Sequence, residues 1–167
     1  MAGADIDAGP TVFTLREIFA DLFRDAGEHL DDHLDLVPAD ILARHAWRDG
    51  SRLDLHADLD RSASSIAAFA GTRAEREFRH FCARSAAVYA ALRDPFMHAE
   101  RPTPAQLVTR LGLRGLRAMA GTPPWRSLWS TLAGEFTDPR LRQLFARYAT
   151  YVGSSPLAAP ATPDCST

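Results

Sequence analysis

Two histidines four residues apart, His29 and His33, enclose Asp31 and Asp32. On a continuous helix that spacing would set two imidazoles on one face, as a metal site requires. The helix would have to run past Gly27, no third distant ligand is marked, and solvated helix-end residues are the plainer reading, so no metal is expected. His45, His56, His80 and His98 have no metal-ligand spacing among them. The paired carboxylates Asp31 and Asp32 could exchange protons with a substrate, but nothing marks them as buried, and surface solvation is again the plainer reading. Ser154 and Ser155 follow a glycine without the G-x-S-x-G pattern that exposes a nucleophile, and one sequence identifies no histidine or aspartate partner for them. The catalytic residues are therefore unassigned. A phosphate cradle needs close-packed glycines between a strand and a helix, so that backbone N–H groups can reach the phosphates. Neither G-x-G-x-x-G nor G-x-x-x-x-G-K occurs.

Charge is distributed unevenly. From Met1 to Asp40 ten acids face only Arg16 and Arg24, whereas Arg101 to Gly134 holds five arginines and no acid. Such a split suits one surface to an anionic partner and makes another repel it. Every basic charge is arginine, which reads as composition bias. In the acid-free stretch Arg110, Arg114, Arg117 and Arg126 interleave with Leu107, Leu111, Leu113, Leu116, Met119, Trp125, Leu128 and Trp129. Tryptophan and arginine beside leucine in short helices suit a membrane interface, with apolar side chains at the acyl boundary and cations on anionic headgroups. The same leucines and tryptophans could equally be core. A free-standing helical module that binds lipid or an apolar partner is thus one alternative. A second is DNA binding, because Thr103 to Arg117 resembles the first helix and turn of a helix-turn-helix. Gly115 and Gly121 break the segment that should be the recognition helix, and a pI of about 6.3 does not suit a DNA reader, so no nucleic acid is expected.

The elements that must position these residues are mostly helices. A chain of 167 residues, 46% of them hydrophobic, can bury a sizeable core. No apolar run approaches the roughly 18 residues of a spanning helix, and Met1 to Asp5 lacks the start of a signal peptide, so a cytoplasmic location is expected. Two cysteines make no disulfide framework, and Cys82 reads as a small core residue. Thr14 with Glu17 predicts a capping box, Gly27 a left-handed stop, and Leu15, Ile18, Phe19, Leu22 and Phe23 one apolar face between them. Asp49-Gly50 between apolar runs predicts a hairpin of Ile41–Trp47 with Arg52–Ala57, Leu53 and Leu55 on one face and Asp54 and His56 on the other. Asp58 begins a helix that ends near Gly71. Thr72 with Glu75 predicts a second capping box, followed by a long helix carrying Phe78, Phe81, Cys82, Ser85, Tyr89 and Leu92 and stopped by Asp94-Pro95. Thr103-Pro104 and Asp138-Pro139 open two more helices, the last with Leu141, Leu144, Phe145, Tyr148 and Val152, closed by Gly153. The fold class is α+β, mostly helical with a small early β-sheet of two or three strands.

The segment Ile6-Asp7-Ala8-Gly9-Pro10-Thr11-Val12-Phe13-Thr14 resembles the phytoene-desaturase-type carotenoid desaturases, flavoproteins of the amine-oxidase-like superfamily, which carry an Asp-Ala/Thr-Gly-Pro-Thr segment before such a helix. The likeness continues through the Asp49-Gly50 hairpin with Leu53-Asp54-Leu55, through Trp125-Arg126-Ser127, and through the run from Asp138 to Pro156. That last run looks most like the hydroxyneurosporene (methoxyneurosporene) desaturase branch. Collinear likeness covers nearly all of the chain to about Ala161. It implies an oxidoreductase of carotenoid biosynthesis that inserts a double bond into a long polyene by hydride removal to FAD, peripherally associated with the membrane that holds the lipid substrate. By analogy Gly9, Pro10 and Thr11 would lie where the chain leaves the FAD domain near the flavin. Arg110, Arg114, Arg117, Trp125, Arg126 and Trp129 would serve the substrate and membrane side. The resemblance divides the chain into a remnant of the FAD-domain edge at 1–13, an incomplete substrate and membrane domain resembling that of amine-oxidase-like flavoproteins at 14–153, and an irregular tail at 154–167. Family members begin with the glycine-rich fingerprint, which is not found here. An internal fragment is therefore expected, inactive alone and holding no FAD by itself.

Overall fold

A computed structural model describes residues 13–97 and 126–159, with side chains for all but 91–97 and 151–152. The chain divides into two compact units, one up to Pro38 and one from Ala39.

In the first unit α1 spans Arg16–Asp25. It begins one residue later than the capping box predicted. Leu15, not Thr14, is the N-cap; it has φ 57° and no side-chain cap bond. Left-handed backbone at a branched residue is costly, and Leu15 instead supplies its carbonyl to the Ile18 N–H at 2.9 Å. The C-terminus follows the prediction. Gly27 has φ 83°, its N–H donates to the Arg24 carbonyl at 3.0 Å, and the Glu28 N–H reaches back to Phe23 at 2.9 Å. Those two bonds satisfy carbonyls that a helix end would otherwise leave orphaned. The apolar face predicted to need burial has no buried residue, and Ile18, Phe19 and Leu22 stay exposed. A 3-10 turn at Leu30–Asp32 follows, with Leu30 buried.

The second unit opens with the predicted hairpin, β1 (Ile41–Ala46) antiparallel to β2 (Arg52–His56), the two strands of one sheet. Its turn is set by Asp49-Gly50. Gly50 has φ 83°, which a side chain would strain, and the Asp49 carboxylate accepts the Ser51 N–H at 2.9 Å. Leu53 and Leu55 point into the core, and a bulge between Ile41 and Ala43 shifts the register. Helix α2 (Leu59–Ala70) starts on Asp58, whose carboxylate accepts from the Arg61 N–H at 2.7 Å, and ends at Gly71 with φ 89°. Ser62 locks this first turn to β2, accepting the His56 N–H at 2.8 Å and donating to the His56 carbonyl at 2.9 Å.

Helix α3 (Thr72–Met97) departs from expectation at both ends. Thr72 is its first helical residue, not its cap, and the Gly71 carbonyl takes the Glu75 N–H at 3.2 Å. At the other end the helix runs through Pro95 to Met97; the proline forgoes one bond, to the carbonyl four residues earlier, and its fixed φ suits a helix. Ala74, Phe78, Phe81, Ser85 and Val88 form its buried stripe. Helix α4 (Leu128–Glu135) leads to α5 (Pro139–Ala146), which begins on Asp138 with Pro139 in its first turn, as predicted. The predicted continuation tightens to a 3-10 helix over Arg147–Val152 and stops at Gly153, φ 69°.

The core takes Leu53 and Leu55 from β2, Ile66 from α2, Phe78 and Phe81 from α3, Leu132 and Phe136 from the α4 end, and Leu141, Leu144 and Phe145 from α5. Phe145 is its hub. Its ring stacks on Phe136 at 4.9 Å and 8°, meets Phe81 at 4.9 Å, and lies 6.0 Å from Phe78 and 6.4 Å from Tyr148. Replacing Phe145 by alanine is expected to cost about 3–5 kcal/mol in a urea unfolding experiment; a loss under about 1 kcal/mol would show that this ring does not organise the core.

Candidate functional site

The run Asp138-Pro-Arg-Leu-Arg-Gln-Leu-Phe145 does two jobs at once. Its apolar residues enter the core, and its polar residues tie the start of α5 to three other elements. Asp138 caps the helix through the Arg140 N–H at 2.8 Å and receives Arg140 in a forked pair at 2.8 and 3.2 Å. The Arg140 guanidinium lies 4.0 Å from the Phe69 ring centroid on α2 and 3.9 Å from Asp49 in the hairpin turn. Arg142 donates to the Phe136 and Thr137 carbonyls at 2.6 and 3.0 Å, and Gln143 accepts Trp47 Nε1–H at 2.9 Å. The hydrogen bond from Arg140 holds the Asp138 carboxyl below the usual carboxylate range, although burial opposes it.

A second tie joins α3 to the α4–α5 corner. Glu77 accepts the Thr137 N–H at 2.9 Å, and Arg73 donates to it at 2.9 Å. Burial pushes the Glu77 carboxyl up, but the Thr137 hydroxyl and N–H and Arg73 outweigh that and leave it low. Arg84 and Glu135 pair at 2.6 Å between α3 and α4, both largely shielded from solvent. The ties from Arg140 to Phe69 and Asp49, from Trp47 to Gln143, from Glu77 to Thr137 and from Arg84 to Glu135 were not foreseen from the sequence, because each joins residues far apart in it. Only the high arginine content hinted at them.

Between the hairpin and α2 lies an open groove of about 650 Å³ lined by Arg44, His45, Arg52, Asp54, His56 and Phe69, among others. Burial, reinforced by Arg147, lowers the His45 pKa against the pull of Asp54. His45 Nε2 and His56 Nδ1 are buried without a hydrogen-bond partner.

Gly9, Pro10, Thr11, Arg110, Arg114, Arg117 and Trp125 lie outside the described residues, as does the Thr103 helix start. Arg126 and Trp129 fall at the start of α4, and both are exposed. His29 and His33 flank a 3-10 turn rather than sharing a helix face. His33 lies 3.2 Å from Glu28 and meets the Phe23 ring at a tilt, centroids 5.2 Å apart, and Asp31 pairs with Arg16. Among the described residues no three side chains are grouped to hold a metal. Ser155 serves its own turn: its carbonyl accepts the Ala158 and Ala159 N–H groups at 2.9 and 2.7 Å, and its Oγ accepts the Leu157 N–H at 3.3 Å.

FAD needs a strand–glycine loop–helix junction for its pyrophosphate. The junction from β2 into α2 does not fit one, because the Asp58 carboxylate already occupies the helix start and would repel phosphate. No helix among the described residues is long and apolar enough to cross a membrane.

This architecture, α+β and mostly helical with a two-stranded sheet, accompanies a clear homology. The chain is a homologue of the carotenoid desaturases. It is 49% identical over 161 residues, 96% of its length, to the hydroxyneurosporene desaturase of Rubrivivax gelatinosus, and 49% identical over 155 residues to that of Cereibacter sphaeroides. To the lycopene-forming phytoene desaturase of Pantoea ananas it is 31% identical over 156 residues, 93% of the chain. In each case it spans only about 30–31% of the relative's length, as a fragment of such an enzyme would. No protein-family model matches the chain. These likenesses support neither the helix-turn-helix reading nor the free-standing module.

Glu77 and Asp138 have folded pKa values below their ordinary ones, so their contribution to stability is complete above about pH 4–5 and is lost as pH falls through the folded values. Glu77→Gln is expected to cost about 1–3 kcal/mol at pH 7 and to flatten the acid limb of the stability–pH profile; an unchanged limb would show that the carboxylate is not coupled to folding.

Proposed function

We propose that the chain is part of the substrate-handling portion of a hydroxyneurosporene-type carotenoid desaturase, an FAD-dependent oxidoreductase. The observation that carries this is the 49% identity over 96% of the chain to an enzyme of that name. Hydroxyneurosporene and phytoene, named in the relatives, are long polyenes. Their desaturation removes two hydrogens from neighbouring carbons, one as hydride and one as proton. Hydride transfer of this kind is cofactor chemistry, and the family resemblance points to a flavin as acceptor.

In this reading Gly9, Pro10 and Thr11 border the flavin from the edge of a nucleotide-binding domain. Arg110, Arg114, Arg117, Trp125, Arg126 and Trp129 face the substrate and a membrane surface, so the enzyme is cytoplasmic and peripherally membrane-associated. The exposure of Arg126 and of Trp129 at the first turn of α4 supports that side of the proposal. The self-capped start of α2 supports a chain that does not hold FAD alone.

Two measurements test the reading. The purified chain is expected to show no bound-flavin absorbance after incubation with FAD, and such a band would refute the division of labour. Exchanging the matched stretch of the Rubrivivax gelatinosus enzyme for this chain is expected to leave a flavin-loaded, polyene-desaturating chimaera. A folded, flavin-loaded chimaera without desaturase activity would reject the assignment.

A further inference from the structure

We propose that the turn Ser154–Ala159, with Leu157 at its tip, is a second point of contact with an anionic bilayer surface, next to the start of α4. The inference rests on the membrane reading above and extends it to residues which that reading did not include. Leu157 is 67% exposed and Trp129 37% exposed. Their backbones are tied, because the Trp129 N–H donates to the Pro156 carbonyl at 3.0 Å and the Leu128 N–H to the Ala159 carbonyl at 2.9 Å. Two exposed apolar residues therefore sit on backbone segments bonded to each other at the start of α4.

What an apolar tip meets in a bilayer depends on its backbone as much as on its side chain, since an unpaired N–H is costly to bury. Here those donors are spent. The Leu157 N–H donates to Ser155 Oγ at 3.3 Å, the Ala158 and Ala159 N–H groups donate to the Ser155 carbonyl, and Ser127 Oγ takes the Ser130 N–H at 3.2 Å. The N–H groups of Leu157, Ala158 and Ala159 keep these partners when the turn leaves water.

Charge selects the occupant. Neither Ser127–Gly134 nor Gly153–Ala159 contains a charged residue, and the flanking Arg126 is exposed. Other exposed leucines have different company: Leu59 is flanked by Asp58 and Asp60, and Leu42 lies near Asp40 and Arg44. A turn and helix start without carboxylates in their own sequence, preceded by the exposed Arg126, match an anionic headgroup layer over an acyl boundary.

The test is co-sedimentation of the full chain with phosphatidylglycerol/phosphatidylcholine vesicles and with phosphatidylcholine alone. The chain is expected to pellet preferentially with the anionic vesicles. Leu157→Asp should weaken that binding by about tenfold or more, Leu157→Phe should retain it, and Leu42→Asp on the hairpin should leave it unchanged. If Leu157→Asp binds like the unaltered chain while Arg126→Glu weakens binding, the turn is not a contact and the membrane reading stands without it. If the unaltered chain pellets with neither vesicle, both fall. If Leu157→Asp changes oligomeric state on gel filtration and leaves vesicle affinity alone, the tip covers a second copy of the chain, and the proposal is overturned.

Discussion

The stacking of Phe145 on Phe136, with Phe81 and Phe78 against the same ring, is the interaction on which the second unit depends. Aromatic pairs contribute about 0.5–1.5 kcal/mol beyond the area they bury, and here several converge on one side chain. Phe78 and Phe81 come from α3, Phe136 ends α4, and Phe145 comes from α5, so one cluster fixes three helices. Leu132 and Leu141, both fully buried, fill the space beside it. Polar ties then become possible at the rim. Glu77 reaches Thr137 and Arg84 reaches Glu135 only because the rings have set α3 at the right distance from the α4–α5 corner.

The same economy explains the arginines. Lysine could pair with a carboxylate, but it could not fork onto Asp138 while lying flat on the Phe69 ring, as Arg140 does. Arg142 likewise uses two nitrogens of one plane to satisfy the Phe136 and Thr137 carbonyls at the end of α4. An arginine-only sequence, read at first as composition bias, thus supplies planar donors at the helix junctions that need them.

What the sequence disclosed was local. Asp49-Gly50 announced the hairpin, the alternation of Leu53 and Leu55 with Asp54 and His56 announced its buried face, and Asp138-Pro139 announced α5, because each signal acts within a few residues. The errors fell where local and tertiary preferences compete. Thr14-Leu-Arg-Glu17 has the composition of a capping box, yet the chain turns at Leu15 instead. Pro95 should end a helix, yet α3 runs past it. The polar ties from Trp47 to Gln143 and from Glu77 to Thr137 link residues 96 and 60 positions apart, and no local pattern encodes such a meeting. Of the candidate site, the residues legible by resemblance lie mostly outside the described stretches, and only Arg126 and Trp129 could be placed.

The helix starts are held by different means. A helix N-terminus attracts phosphate only while its N–H groups are free. Asp58 fills the start of α2, Asp138 that of α5, and Ser127 that of α4, where the Pro156 and Ala159 carbonyls take further donors. Each of these termini is used to hold the unit together, whereas α1 begins at Leu15 with no side-chain cap.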